Sequence, residues 1–183
     1  MCLKLFHLQS YIPLACYNDV FAIPFSELKL KGYRIILLDL DNTLLPYDQS
    51  EPTPALLEWF KQLKKDFDVV LMSNNHQDRV RFFAQAVDCP FVSSAKKPLK
   101  YGYRKALRQV ASQGLPIAIG DQLMTDVLGA SRMNIPSILV KPIKKRSEKW
   151  FTKINRFLER RITNKIMKAH PEIGKVLKNW EGQ

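Results

Sequence analysis

The residues best suited to chemistry are two carboxylates that stand two positions apart, Asp39 and Asp41. They directly follow an apolar run, so they lie where a buried strand would end. Carboxylates this close together are costly unless a cation or a reaction needs them. Because hard oxygen ligands favour magnesium, the pair predicts a Mg²⁺ site. A turn with an aspartate helix cap is the alternative, and it accounts for one carboxylate but not for both.

Further residues have the types expected of a phosphate and metal site. Ser73 ends a second apolar run, where its hydroxyl could bind a phosphate oxygen, and Lys97 could neutralise the same phosphate. Asp121 follows another apolar run, and Asp126 adds a carboxylate about one turn later. Each has an ordinary alternative: Ser73 as a helix cap, Lys97 as a surface charge and Asp121 as a turn residue. Their shared position at the ends of apolar runs favours the site.

Short apolar runs alternate with helical patterns along the chain. The predicted strands span 34–40, 67–72, 91–92, 117–120 and 137–140, and the predicted helices span 54–65, the residues around 80–87, 99–110 and 123–133. This alternation predicts one α/β domain with a mostly parallel, Rossmann-like sheet and flanking helices. Such sheets bind ligands beyond the carboxyl ends of their strands, which is where the polar residues cluster.

Positive charge is concentrated at the C-terminal end of this 183-residue chain, whose net charge is +12. Residues 1–140 carry 16 basic and 13 acidic side chains, whereas residues 141–183 carry 13 and 4. The uneven distribution argues against a uniformly basic nucleic-acid coat. It leaves a basic end that could meet phosphate, anionic lipid or an acidic partner.

The basic end has the pattern of an amphipathic helix from Ser147 onward. Its apolar residues recur at spacings of three and four, at Trp150, Phe151, Ile154, Phe157, Leu158, Ile162 and Ile166. Most of the lysines and arginines lie off this stripe. The stripe could dock on the domain or lie in a lipid interface, and the two interpretations are compatible because the basic face could meet headgroups in either case.

Four phrases together resemble the motifs of the haloacid dehalogenase-like (HAD) phosphatase superfamily: Asp39-Leu40-Asp41-Asn42-Thr43, Ser73, Lys97-Pro98 and Gly120–Asp126. In detail the chain resembles the YqeG-type branch of subfamily III, which is related to mitochondrial phosphatidylglycerophosphatases. The phrases similar to that branch lie at 70–75, 95–99, 120–129 and 152–156. The resemblance covers about residues 30–160 and implies an HAD-type fold.

The resemblance also implies the reacting groups. Asp39 would be the nucleophile that forms an aspartyl-phosphate, and Asp41 would protonate the leaving alcohol and then deprotonate the attacking water. Mg²⁺ would be bound by the Asp39 side chain, the Asp41 backbone carbonyl and Asp121. A second carboxylate at Asp41 is what favours phosphatase over dehalogenase chemistry in this superfamily.

The remaining residues of the resemblance would bind phosphate or support the site. Ser73 and Lys97 would hold phosphoryl oxygens, with Asn42 and Asn74 assisting. Asp126 would orient Lys97 or a metal-bound water rather than bind the metal directly.

The motif spacing leaves no room for a cap domain. Thirty-one residues separate Asp41 from Ser73, and 23 separate Ser73 from Lys97. An open site suits a phosphate on something large, which makes phosphatidylglycerophosphate the leading substrate hypothesis. The alternatives are a phosphatase for a soluble phosphate ester and a non-catalytic basic module that binds RNA or a protein. Five intact residues argue against the module, because nothing else would keep them together: Asp39, Asp41, Ser73, Lys97 and Asp121.

Cysteine usage and hydropathy indicate the compartment. Cys2, Cys16 and Cys89 are scattered, with no disulfide or zinc pattern, which suggests a reducing environment. No apolar run approaches the roughly 20 residues that span a bilayer. We predict a cytoplasmic protein, or one peripheral to the inner face of the membrane. The predicted organisation is an N-terminal extension (1–29), an HAD-like core (30–146) and a basic C-terminal helix and tail (147–183).

Overall fold

A computed structural model of the chain describes residues 8–143 and 150–181. Its strands are β1 (Ala15–Tyr17), β2 (Tyr33–Leu38), β3 (Asp68–Met72), β4 (Phe91–Val92), β5 (Leu115–Gly120) and β6 (Ser137–Val140). Within the described ranges these six strands form one parallel sheet in the order β1-β6-β5-β2-β3-β4. The predicted parallel α/β architecture is therefore confirmed.

The helices are α1 (Phe25–Leu30), α2 (Pro54–Leu63), α3 (Gln77–Ala86), α4 (Lys100–Leu107), α5 (Leu128–Arg132), α6 (Trp150–Ala169) and α7 (Pro171–Glu181). The helix predicted over 123–133 is present but is not one regular α-helix, because Leu123–Val127 forms a π-helical turn before α5. Tyr103 donates a hydrogen bond of 3.0 Å to the backbone carbonyl of Asp126. The turn itself contains a hydrogen bond from the Val127 N–H to the Gln122 carbonyl (3.3 Å), five residues back, and apolar spacing gives no sign of it.

Helices cover both faces of the sheet because successive strand side chains point to opposite sides. Ile36 and Leu38 of β2 pack in a cluster with buried residues of α1, α2 and α3. Ile35 and Leu37 pack in a second cluster with buried residues of α4 and α5. A strand buried on both faces reads as a continuous apolar run, which is why β2 was visible in the sequence.

The strand order places a switch point beside β2. From β2 the chain moves outward through β3 and β4, then returns to pair β5 with the other edge of β2. Parallel strands end at the same edge, so the residues that follow β2, β3 and β5 gather there: Asp39, Ser73 and Asp121. Ligand sites of open α/β sheets lie at such switch points.

The segment predicted as an N-terminal extension contributes to the sheet and to the core. Strand β1 pairs with β6 in parallel, with Ala15 opposite Ile138. Helix α1 adds Leu28, which is 5% exposed, to the cluster under α2. A three-residue edge strand has too short an apolar pattern to be recognised in the sequence.

The C-terminal helices dock on the domain. Ile166 of α6 and Leu177 and Trp180 of α7 share an apolar cluster with Leu123 and Leu139. The predicted helix start at Ser147 lies outside the described residues, as do the side chains of 150–159 in the predicted stripe. The basic side chains that the structure describes on α6 are exposed, namely Arg160, Arg161, Lys165 and Lys168. None of the described helices is both long enough and apolar enough to cross a membrane.

Candidate active site

Asp39 lies at the centre of the carboxyl edge of the sheet. Its backbone N–H donates to the carbonyl of Ile119 on the neighbouring strand (2.9 Å), and the residue is 7% exposed. Its Oδ1 accepts a hydrogen bond from Lys97 Nζ at 2.5 Å, and its Oδ2 accepts from Thr43 Oγ1 at 2.8 Å. The carboxylate is thus held at both oxygens, one of them by a charge-assisted bond.

Lys97 is a buried cation between two carboxylates. Its Nζ also donates to Asp126 Oδ1 at 2.6 Å. Burial lowers the pKa of the ammonium, but the charges of Asp126 and Asp39 outweigh burial, so the pKa of Lys97 is raised and the group stays charged. Asn74 braces the same residue: its Oδ1 accepts from the Lys97 N–H (2.7 Å), and its Nδ2 donates to the Lys97 carbonyl (3.1 Å).

Three buried carboxylates lie together at this edge of the sheet. Carboxylate oxygens of Asp39, Asp121 and Asp126 all lie within 4.8 Å of one another. With all three carboxylates ionised, the single ammonium would leave an excess of two negative charges. Burial raises the pKa of Asp39 to about 7; Lys97 opposes this rise, and Asp126 and Asp41 add to it. A buried oxygen-ligand cluster with this charge fits a divalent cation such as Mg²⁺.

Asp126 is held in place by the π-helical turn that carries it. Its Oδ2 accepts from the Gln122 N–H (3.2 Å) and from Thr125 Oγ1 (3.1 Å). A Cβ at position 120 would lie 2.3 Å from Asp126 Cγ, so a residue larger than glycine would displace the carboxylate. Turns of this kind are frequent at functional sites.

Asp41 is bound by two side chains from the neighbouring segments. Ser73 Oγ donates to its Oδ2 at 2.7 Å, and Arg79 Nε donates to its Oδ1 at 2.8 Å. Arg79 was not predicted as a site residue, because no local pattern marks a contact between residues 38 positions apart. Thr43 was predicted only as part of the first motif, without a role of its own.

The structure brings most of the predicted site residues to one edge of the sheet: Asp39, Asp41, Ser73, Asn74, Lys97, Asp121 and Asp126. The Asn42 side chain makes no such contact with the described residues of the site. Its backbone is left-handed (φ 63°), and its side-chain oxygen is buried without a hydrogen bond to the described residues. The Asn74 side chain contacts the Lys97 backbone. The phosphate-binding roles of Asn42 and Asn74 stay predictions.

Comparisons with known proteins show which proteins the chain is similar to. The family profile described as HAD-hydrolase-like matches residues 94–152. "Probable phosphatase YqeG" of Bacillus subtilis (strain 168) is 36% identical over 158 residues, which cover 85% of this chain and 91% of that protein. An uncharacterized protein from Listeria monocytogenes serotype 4b, known from a crystal structure, has a TM-score of 0.47 and 14% identity, covering 63% of this chain and 84% of the other.

Proposed function

Since the chain belongs to the HAD phosphatase superfamily, in its YqeG-type branch, we propose that it is a Mg²⁺-dependent phosphomonoesterase that forms an aspartyl-phosphate. We propose phosphatidylglycerophosphate as its substrate. One observation carries the reaction type: Asp39 lies at the switch point of the sheet, bonded to Lys97 and grouped with two further buried carboxylates. Such an arrangement is costly for stability, which supports a catalytic use.

The first step is attack by Asp39 on phosphorus. A bond forms between a carboxylate oxygen of Asp39 and phosphorus while the bond from phosphorus to the leaving oxygen breaks. Asp41 gives its proton to the leaving oxygen, so that an alcohol departs rather than an alkoxide. Lys97 and Ser73 hold phosphoryl oxygens and stabilise the charge that develops on them.

The second step is hydrolysis of the acyl phosphate. Asp41, now ionised, takes a proton from water as the water oxygen attacks phosphorus. The bond from phosphorus to Asp39 breaks, which releases phosphate and restores both carboxyl groups. Two displacements at phosphorus, with Asp39 first as the nucleophile and then as the leaving group, replace a single and more difficult attack by water.

The buried acidic cluster suits the proposed cation. Mg²⁺ would be held by the side chains of Asp39 and Asp121 and by the backbone carbonyl of Asp41. Bound there, it would offset the repulsion between the nucleophile and the phosphate and stabilise charge during transfer. Asp126 would keep Lys97 aligned through the 2.6 Å contact between them.

Two features support a lipid substrate. No inserted domain separates the first three motifs, since residues 42–96 hold only loops, α2, β3, α3 and β4 within the sheet-packed core. Helix α6 presents exposed basic side chains while its Ile166 is docked on the domain. Each such cation near an anionic surface contributes about 1 kcal/mol to binding. We therefore propose peripheral contact between α6 and anionic lipid.

A phosphatase screen with Mg²⁺ tests the function, comparing phosphatidylglycerophosphate in detergent with soluble phosphate esters. We expect the lipid ester to be preferred, and the protein to sediment with anionic vesicles at low salt. Replacing Arg160, Lys165 and Lys168 by glutamine should weaken sedimentation but preserve turnover of soluble esters. Preference for a soluble ester without vesicle binding would identify the first alternative. RNA binding that persists without any phosphatase activity would favour the basic module.

Metal binding should depend on pH through Asp39. Its pKa is raised from 3.8 to about 7, so in the metal-free protein its stabilising contribution is complete below its unfolded pKa and is lost as pH rises through 7. We expect Mg²⁺ to raise the unfolding temperature more at about pH 8 than at about pH 5.5, because a proton competes with the cation at the lower pH. Thermal unfolding with Mg²⁺ and with EDTA measures this. The Asp121→Asn variant should show a smaller Mg²⁺ effect, and equal wild-type effects at both pH values would contradict the site.

A further inference from the structure

Asp41 has a separate partner for each of its carboxylate oxygens. Ser73 Oγ donates to Oδ2 at 2.7 Å, and Arg79 Nε donates to Oδ1 at 2.8 Å. The side chains of Arg79 and Asp41 are 18% and 16% exposed, so solvent screens their ion pair only in part. The carboxylate therefore has a defined orientation before any substrate binds.

Arg79 is itself restrained from two further directions. Its Nη2 donates to the backbone carbonyl of Pro46 at 3.2 Å, and its guanidinium carbon lies 5.3 Å from the centre of the Tyr47 ring. The planar guanidinium can make these contacts at the same time, whereas an ammonium group cannot. Arg79 thus ties the first turn of α3 to the loop that follows Asp41.

The two partners of Asp41 differ in what phosphate binding would do to them. Ser73 has one hydroxyl hydrogen, which it donates in a hydrogen bond to Asp41, while its Oγ accepts a hydrogen bond from the Asn75 N–H at 2.9 Å. In the proposed reaction Ser73 donates to a phosphoryl oxygen, and one proton cannot serve both acceptors. Arg79 keeps its bond to Oδ1 in either case.

We propose that Arg79 is the positioning residue of the general acid, holding Asp41 Oδ1 while Ser73 transfers its hydrogen bond from Oδ2 to the phosphate. Oδ2 is then the oxygen that carries the proton to the leaving group and takes one back from water. The O–H bond at Oδ2 breaks as the leaving oxygen gains the proton and its bond to phosphorus breaks. This inference rests on the proposed function and adds a residue to that site.

The test compares esters that differ in their need for an acid. In an aliphatic ester such as glycerol 3-phosphate, the leaving group departs as an alkoxide unless an acid protonates it. In p-nitrophenyl phosphate, the leaving group is a stable phenolate that needs no proton. We expect Arg79→Gln to lower kcat/KM by about 10²-fold on the aliphatic ester and by less than about 10-fold on p-nitrophenyl phosphate, because kcat/KM reports the step in which the leaving group departs and not the later hydrolysis that both esters share. Arg79→Lys should recover part of the loss on the aliphatic ester. Lysine keeps the positive charge beside Asp41 but lacks the separate nitrogen that binds the Pro46 carbonyl.

Two controls separate positioning from a general structural role. Arg81→Gln changes an exposed arginine on the same helix and should leave both activities unchanged. Adding Arg79→Gln to Asp41→Asn should cost no further activity, because a residue that acts through Asp41 has nothing left to position. Urea unfolding should show that each variant folds, and Arg79→Lys provides the same comparison if the glutamine variant does not.

Equal losses on the two esters, or additive losses in the double variant, would overturn the positioning role. Wild-type inactivity on every ester would instead overturn the proposed function itself. An active wild type with an unaffected Arg79→Gln variant would contradict only the inference about Arg79. The outcomes of the two proposals are therefore distinguishable.

Discussion

Replacing Asp39 by asparagine is expected to lower phosphatase turnover by at least about 10⁴-fold, in line with the loss of other enzymatic nucleophiles. The amide has no negative charge with which to attack phosphorus. The fold should survive, because asparagine has nearly the same shape and Lys97 keeps its 2.6 Å contact with Asp126. Removing one carboxylate also lessens the negative charge of the buried acidic cluster. Steady-state turnover with Mg²⁺ and urea unfolding at the same pH measure the two effects.

Asp78→Asn is the matched control for this substitution. Asp78 is exposed in the first turn of α3, so its loss should change neither turnover nor the unfolding midpoint. If Asp39→Asn kept Mg²⁺-dependent turnover, Asp39 could not be the nucleophile. If it failed to fold, the carboxylate would be structural, contrary to the charge balance of the cluster.

Replacing Lys97 by methionine should affect both activity and stability. Turnover should fall by about 10²- to 10³-fold, because the variant loses a preorganised cation for the phosphoryl oxygens. The free energy of unfolding should fall by about 3 kcal/mol, since Asp39 and Asp126 would be left buried without their shared positive partner. Urea unfolding of the metal-free protein at neutral pH measures the stability loss.

The neighbouring lysine and a double variant sharpen this prediction. Lys96 is exposed, so Lys96→Met should leave stability and turnover unchanged. Adding Asp126→Asn to Lys97→Met should restore part of the stability, because it removes one of the uncompensated carboxylates. An additive loss in the double variant would mean that Lys97 stabilises the protein by packing rather than by charge.

The buried helices and strands could be predicted because their residue types match the positions they occupy: apolar where the chain is buried and polar where a helix begins. Strands β2 and β3 are continuous apolar runs, and α2 begins at Thr53, whose Oγ1 accepts from the Leu56 N–H at 3.3 Å as an N-cap. Strand β1 and helix α1 were missed because a short edge element buries too few residues to leave a pattern. The π-helical turn was missed because its five-residue backbone hydrogen bond, from the Val127 N–H to the Gln122 carbonyl, leaves no mark in the apolar spacing.

The candidate site divides in the same way. Its aspartates, Ser73 and Lys97 could be found because polar residues directly after apolar strands are conspicuous in the sequence. Asn74 was predicted as a phosphate-binding residue, but its contacts with the Lys97 backbone were not. Arg79 was not predicted at all, since it is an ordinary surface residue type until the sheet brings distant segments together. Contacts such as Arg79 to Asp41 join residues 38 positions apart.

The sequence by itself determined the strand–helix alternation, the carboxylates at the strand ends and the concentration of basic residues at the C-terminus. These are properties of local residue order, and the apolar runs that become buried can be recognised directly in the sequence. Only the tertiary structure decided that Asp126 joins Asp39 and Asp121 in one buried cluster, that Arg79 holds Asp41, and that α6 and α7 dock on the domain. The strand order and the packing of side chains on it set these long-range contacts, and no local pattern encodes them.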